Sequence, residues 1–215
     1  MSTVESTAAS TRSSRGRRSA RISSDEREQA IMRTAEQLLQ ERSLTEISVD
    51  DLARGAGISR PAFYFYFPSK DAVVLELIDR VVEEATAAKE EAVDDRLDDP
   101  AAGVREAIQI FYEMLGAHRA VIRAVVELSA TNAEARELRA TITEGWVASV
   151  TEQIEEKRAQ GLAKDGLPAR ELATALVQMN ERVMLAVFSE EKPAVAEDKL
   201  VDVLCAIWLG AIYRG

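Results

Sequence analysis

The chain has 215 residues, with 27 Lys and Arg against 37 Asp and Glu and a formal net charge of -10. Aromatic residues make up 5%, and only ten Gly and five Pro interrupt the chain, a composition that favours an all-helical protein over a sheet protein. The single cysteine, Cys205, and the single histidine, His118, exclude an internal disulfide and a Cys/His zinc site within one chain.

Sequence motifs of common enzyme classes are absent. Nothing follows a P-loop, GxGxxG or GxSxG pattern, so we expect neither an enzyme nor a bound cofactor. The N-terminus lacks the apolar run of a signal peptide, and the apolar stretch 200–213 is shorter than the roughly 20 residues of a membrane span. We therefore expect a cytoplasmic protein with no membrane partner.

Positive charge is concentrated at the N-terminus. Residues 1–22 contain five arginines, including Arg17 and Arg18, against one glutamate, whereas residues 23–70 carry a net -2 and the remainder -12. Large apolar residues are almost missing from this segment, which predicts a disordered basic arm. The arm could contact DNA phosphates, or it could be a solvated tail without a role.

A short helix, a glycine-bearing turn and a second short helix are predicted after a support helix that begins near Ser23 or Ser24. Ser48 can cap the first short helix and Gly57 can supply the positive backbone angle of the turn. Ser59 then caps the second short helix, which Pro68 ends. This layout is typical of a helix-turn-helix whose second helix enters the DNA major groove.

Five consecutive aromatic residues, 63–67, lie in and after the second short helix. A helix of this length can bury only about half of them, so the others must face a partner. Phe67 is predicted to lie in the core. For Tyr64 a place in the core and a contact with DNA phosphate are equally good alternatives.

The rest of the chain, after the second short helix, is predicted to form six more helices. They are predicted at about 69–93, 101–117, 119–129, 132–160, 168–189 and 196–213, with a charged linker at 94–100. The last one is apolar nearly all round and needs cover on every side. This predicts a two-fold homodimer built from the last two helices of each subunit; the alternative is complete burial in a monomer.

The residues around the predicted helix-turn-helix resemble the TetR family of bacterial one-component repressors. They are Ala35, Leu38, Leu39, Ile47, Ser48, Val49, Leu52, Ala53, Gly57, Ile58, Ser59, Tyr64, Phe67, Lys70 and Leu75. The runs 171–176 and 179–182 in the C-terminal half also resemble one branch of this family. The similarity to that branch therefore extends over nearly the whole chain. The resemblance implies a fold of nine helices. It also implies three segments, namely an arm at 1–22, a helix-turn-helix domain at 23–70, and a ligand-binding and dimerisation domain at 71–215.

The resemblance also implies the residues that bind DNA. Arg60 is the one long donor able to read a guanine edge with two hydrogen bonds, and Ala62 and Phe63 could touch thymine methyl groups. Other side chains of the helix-turn-helix are expected to bind DNA phosphates, and the N–H groups at the capped helix N-termini add further donors. The expected phosphate ligands and capping residues are Ser48, Ser59, Tyr64, Tyr66 and Lys70, with Arg17 and Arg18 in the arm.

A small-molecule cavity in the C-terminal domain is a further implication. Its expected wall is Phe111, Leu115, Trp146, Asn180, Leu185 and Trp208, an apolar lining with one amide. Asn180 could equally belong to a buried hydrogen-bond network between helices.

Taken together, these features predict a ligand-responsive homodimeric repressor. It would bind a near-palindromic operator and be released by an apolar effector, and the resembled branch implies control of a neighbouring flavin monooxygenase gene. One alternative is a helical DNA-binding protein or activator that senses nothing. The other is a helical binding protein or enzyme in which the first three helices are scaffold.

Overall fold

The computed structural model describes residues 24–92 and 99–213, and within them it is all-helical with no strand. The predicted arm, with Arg17 and Arg18, lies outside the described residues, and so does Ser23, the alternative start of the support helix. Two 3-10 turns, Leu44–Glu46 and Glu197–Lys199, accompany the helices. The helices are α1 Ser24–Glu41, α2 Val49–Gly55, α3 Arg60–Phe63, α4 Lys70–Ala92, α5 Pro100–Ala117, α6 Arg119–Ser129, α7 Ala133–Ala159, α8 Ala169–Phe188 and α9 Leu200–Ile212.

The predicted helices are confirmed, with two differences at their ends. Regular α3 stops at Phe63, well before Pro68, because the N–H groups of Phe65 and Tyr66 bond to carbonyls three residues back, a tighter 3-10 pattern. The last helix starts at Leu200, since residues 197–199 form a 3-10 turn ahead of it.

One hydrophobic core joins the N-terminal helices to the middle of the chain. Ile31 of α1, Leu52 of α2 and Phe63 of α3 pack in the same buried cluster as Leu77 of α4 and Val121 of α6. The three-helix head therefore rests directly on α4 and α6. Its orientation is set by those two helices because they share its core.

Two further buried clusters hold the C-terminal half together. One joins α7, α8 and α9 around Leu172 and Leu176, and the other joins α5, α8 and α9 around Met184 and Leu204. Trp208 packs against both clusters. The side chains between them leave the cavity described below.

Candidate nucleic-acid interface and internal cavity

Local hydrogen bonds build the helix-turn-helix. The Ser48 hydroxyl accepts the N–H of Asp51 at 3.2 Å, and the Asp51 carboxylate accepts the N–H of Ser48 at 3.0 Å. The two residues form a capping box, which confirms the predicted Ser48 cap. Ser59 caps α3 by accepting the N–H of Ala62 at 3.3 Å. The Ser48 hydroxyl also donates to Oδ2 of Asp51 at 2.6 Å, and this hydrogen bond, followed by the one from the Ser48 N–H, lowers the pKa of the Asp51 carboxyl.

Two glycines allow the tight join between α1, α2 and α3. Gly57 has φ +69°, a conformation that side chains rarely adopt. Gly55 lies so close to α1 that a Cβ there would collide with Cγ2 of Thr34. The turn therefore depends on glycine twice, once for its backbone angle and once for close approach.

Arg60 stands at the exposed start of α3, as expected. Its Nη1 lies 2.9 Å from Oδ2 of Asp50 on α2, and both side chains are largely exposed. A hydrogen bond with Tyr64, followed by the charge of Asp50, raises the pKa of the guanidinium. The guanidinium is thus held across the face formed by α2 and α3 while remaining open to solvent.

The aromatic run divides between the core and the surface. Phe63 is fully buried and Phe67 nearly so, whereas Tyr64 is 47% exposed and Phe65 86% exposed. The expectation that Phe63 touches a base is therefore wrong, because its ring packs edge-on against Tyr64 and beside Phe67 in the core. The prediction for Phe67 is confirmed, and Tyr64 lies at the surface.

Phe65 is a surface residue that the sequence analysis missed. With Tyr64 it places two neighbouring aromatic side chains at the surface, and exposed apolar groups that adjoin one another are a feature of interaction sites. The sequence signal for an exposed ring was the run of five aromatics itself, because a short helix that turns some of these rings into the core must turn others toward solvent. Nothing in the local sequence distinguishes Phe65 from Phe63.

Lys70 has a role inside the protein that the sequence analysis did not predict, and its expected phosphate contact stays a prediction. Its Nζ donates to the carbonyl of Leu44 at 2.6 Å and to that of Ile47 at 2.8 Å, and its side chain is partly buried. Two of its three donors are therefore used inside the protein. Among the other predicted contacts, Ser48 and Ser59 are exposed, and Ala62 and Tyr66 are half-buried.

A cavity of about 360 Å³ lies between α4, α5, α7, α8 and α9. Its volume falls within the range of small-molecule pockets. Four of the six predicted wall residues line it, namely Phe111, Trp146, Asn180 and Trp208. The rest of its inner wall is mostly apolar and includes Ala85, Val104, Ile108, Ile110, Met114, Val150, Ile154, Val177 and Ile212.

Leu115 and Leu185 are not in the wall, so these two predictions are wrong. Leu115 packs against the cluster around Met184 and Leu204. Leu185 is five residues beyond Asn180, which turns its side chain about 140° away around α8. The family pattern identified four of the five helices that line the cavity, but it missed α4 and it did not give every face correctly.

The most buried polar group of the cavity wall is Asn180, which is 5% exposed. Its Oδ1 accepts the indole N–H of Trp208 at 3.0 Å, so Asn180 belongs both to an interhelical hydrogen bond and to the cavity wall. Phe111 and Trp146 pack edge-on with ring centroids 5.0 Å apart. Charged and polar side chains line another part of the wall, namely Asp99, Glu106, Gln153, Glu156 and Lys157.

The neighbouring charged residues of α8 are structural. Glu181 forms an ion pair with Arg139 of α7 at 2.6 Å, and Arg182 pairs with Glu191 beyond the end of α8. Among the described residues, no group of three or more His, Cys, Asp and Glu side chains could hold a metal ion. Within the same residues, no helix is long and apolar enough to cross a membrane.

Comparison with known proteins identifies the architecture. Residues 31–77 match the model of the bacterial regulatory proteins of the tetR family, and residues 104–214 match that of the C-terminal domain of the transcriptional regulator EthR. The chain belongs to the TetR family. It is a helix-turn-helix transcriptional regulator of the EthR type.

Curated TetR-family relatives are similar along almost their entire length. The HTH-type transcriptional regulator EthR of Mycolicibacterium smegmatis is 47% identical over 207 residues, covering 96% of this chain and 95% of that protein. EthR of Mycobacterium tuberculosis strain H37Rv is 50% identical over 200 residues, covering 93% of each chain. The similarity therefore includes both the helix-turn-helix and the cavity.

Solved structures share the fold. A TetR-like transcriptional regulator from Rhodococcus sp. RHA1 has a TM-score of 0.67 at 25% identity, covering 88% of this chain and 98% of that chain. Salmonella enterica GusR has a TM-score of 0.69 at 16% identity, covering 89% and 98%. The TetR architecture is thus retained where sequence similarity is low.

Proposed function

We propose that this chain is a homodimeric repressor that an apolar small molecule releases from a near-palindromic operator. One observation carries the proposal. A head exposing Arg60, Tyr64 and Phe65 shares its core with α4, and α4 also contributes Ala85 to the wall of the internal cavity. Occupancy of the cavity can therefore act on the head through one continuous helix.

The exposed residues of the head have distinct roles in this proposal. Arg60 reads a guanine edge, Ala62 meets a thymine methyl group, and Tyr64 and Phe65 pack against the walls of the groove or its phosphates. Ser48 and Ser59 present the capped N-termini of α2 and α3 to phosphates. Arg17 and Arg18 of the arm add phosphate contacts.

The effector in this proposal is an apolar molecule with a hydrogen-bond acceptor. The carbonyl oxygen of Asn180 is occupied by Trp208, which leaves the amide NH2 as the donor for the ligand. Phe111 and Trp146 provide an aromatic wall for its apolar part. Apolar burial then supplies most of the binding free energy, and Asn180 fixes the orientation.

Dimerisation is supported by the outer face of α9. Val203 is 37% and Ile207 is 43% exposed, with the small residues Ala206 and Ala211 on the same exposed side. A two-fold interface of α8 and α9 covers this face in both subunits. The two α3 helices then enter successive major grooves about 34–36 Å apart, or a multiple of this distance.

By similarity to EthR, we place the reading head at 23–70 and the ligand and dimer functions at 71–215. A neighbouring flavin monooxygenase gene is the proposed target. The core around Ile31 and Val121 crosses residue 70, so the two parts are mechanically continuous.

Selection of duplexes from a random DNA pool with the full-length chain tests the DNA-reading role. We expect a near-palindrome to be enriched, and Arg60→Ala to lose the preference for it while weak, salt-sensitive binding persists. Arg136→Ala is the control, since Arg136 is exposed on α7, outside the reading head and the proposed dimer interface. No enrichment, or an enriched duplex that Arg60→Ala binds as tightly as the wild type, contradicts the proposal.

A further inference from the structure

The 3-10 turn Leu44–Glu46 connects α1 to α2, the first helix of the reading head. Its leading N–H groups have no partner within the turn. Glu127, on α6, supplies partners for two of them. Oε2 of Glu127 accepts the N–H of Leu44 at 3.2 Å, and Oε1 accepts the N–H of Thr45 at 3.2 Å.

Lys70 binds the carbonyl groups of the same segment. The ammonium group donates to the carbonyl oxygens of Leu44 and Ile47, and Ile47 immediately precedes the Ser48 cap of α2. A carboxylate thus binds the N–H side of the turn while an ammonium binds its C=O side. Only Glu127 of this pair comes from beyond α4.

Glu127 is well placed to relate the head to the cavity. It lies on α6, which begins directly after α5 with His118 as the residue shared between the two helices. Nε2 of His118 lies 3.1 Å from the Glu84 carboxylate of α4. Since α5 carries Phe111 and Met114 in the cavity wall, one rigid path runs from the cavity through α5 and α6 to the 3-10 turn.

We propose that Glu127 is a positioning residue for DNA reading: its carboxylate fixes the start of α2 relative to α6 and thereby sets the angle of α3. This inference rests on the proposed DNA-binding function. The Glu127 carboxylate accepts hydrogen bonds from the backbone of the 3-10 turn, so its effect on α3 passes through that turn and not through DNA. Both carboxylate oxygens are required, because each accepts one N–H.

Glu127→Gln separates this role from simple packing. Glutamine has the same shape, but it has one acceptor oxygen and turns an NH2 donor toward a backbone donor. We therefore expect Glu127→Gln to weaken binding of the enriched duplex about tenfold, nearly as much as Glu127→Ala, the scale of losing a charge-assisted hydrogen bond. Glu137→Gln, an exposed position on α7, is the matched control and should bind as the wild type does.

Two further readouts identify the mechanism. Amide hydrogen exchange at Leu44 and Thr45 should accelerate in Glu127→Gln, while exchange in the centre of α8 is unchanged. The salt dependence of duplex binding should keep its slope, because no phosphate contact is lost. The full chain is used throughout, with its thermal midpoint measured to establish that the variants fold.

Wild-type affinity and wild-type exchange in Glu127→Gln would overturn the inference, as would a changed salt slope. If the wild-type chain enriches no duplex, the proposed function fails instead. In that case exchange at Leu44 and Thr45 still decides whether Glu127 holds the turn, so the two failures are distinguishable.

Discussion

The indole N–H of Trp208 on α9 donates to the side-chain oxygen of Asn180 on α8 across the wall of the cavity, at 3.0 Å. Asn180 is 5% exposed, so the oxygen has little access to water. Trp208→Phe removes the donor and should lower the free energy of unfolding by about 1–3 kcal/mol, the cost of a buried polar group left unpaired. Unfolding in urea measures this loss.

The double variant Trp208→Phe/Asn180→Leu provides the control. Because both polar partners are then replaced by apolar groups, it should recover much of the stability that Trp208→Phe loses. A single variant as stable as the wild type would show that the hydrogen bond contributes nothing measurable.

Phe63 and Phe65 should respond oppositely to alanine substitution. Phe63→Ala removes a fully buried ring and should cost about 3–5 kcal/mol of unfolding free energy. Phe65→Ala removes a ring that is 86% exposed, so stability should be retained while binding to the enriched duplex weakens. Urea unfolding and duplex titration of both variants test this contrast, which fails if Phe65→Ala binds DNA normally.

Acid should weaken the capping box of α2. The pKa of Asp51 is lowered by hydrogen bonds with Ser48, so the box contributes stability above the ordinary aspartate pKa of about 3.9 and loses it as the pH falls below that value through the lowered pKa. Asp51→Asn should therefore be less stable at pH 7 and should change less between pH 5 and pH 2. Thermal midpoints across this range measure the difference.

Ser48→Ala is a second test of the same box, since Ser48 is the hydrogen-bond partner of Asp51. It should flatten the acid dependence in the same direction. A wild-type acid profile in both variants would contradict the assignment of this effect to the capping box.

Ile207→Glu should convert the proposed dimer to a monomer, because it introduces a charge into the exposed apolar face of α9. Light scattering at micromolar concentration measures the mass. Leu162→Glu is the control, since Leu162 is 51% exposed in the segment between α7 and α8 and should leave the dimer intact. A wild-type chain of monomeric mass would rule out the dimer.

Deleting residues 1–22 should lower DNA affinity and flatten its salt dependence. Each lost phosphate contact removes about 0.9 from the slope of log affinity against log salt concentration, so losing the contacts of Arg17 and Arg18 alone should remove about 1.8. Deleting residues 1–10, which contain no arginine, is the control. If the wild type and both deletion variants have the same slope of log affinity against log salt concentration, the arm makes no phosphate contacts.

The helix-turn-helix was predictable from the sequence because its determinants are local. The Ser48 and Ser59 caps and the backbone angle of Gly57 each involve residues within three or four positions of one another. The helices of the C-terminal half were predictable for a similar reason, since apolar spacing identifies a helix and charge or Gly marks its end. The family signature added the existence and the approximate wall of the cavity.

Tertiary structure alone decided which side chains of those elements lie in the core, which lie at the surface and which form long-range hydrogen bonds. Phe63 and Phe65 are chemically identical and two residues apart, and only the packing of α3 against α2 and into the shared core places one inside and the other outside. The hydrogen bonds from Lys70 to the carbonyls of Leu44 and Ile47 also depend on the tertiary structure, which brings residues more than 20 positions apart together. Glu127 lies 82 and 83 residues from its two partners, a separation at which no local pattern can predict a hydrogen bond.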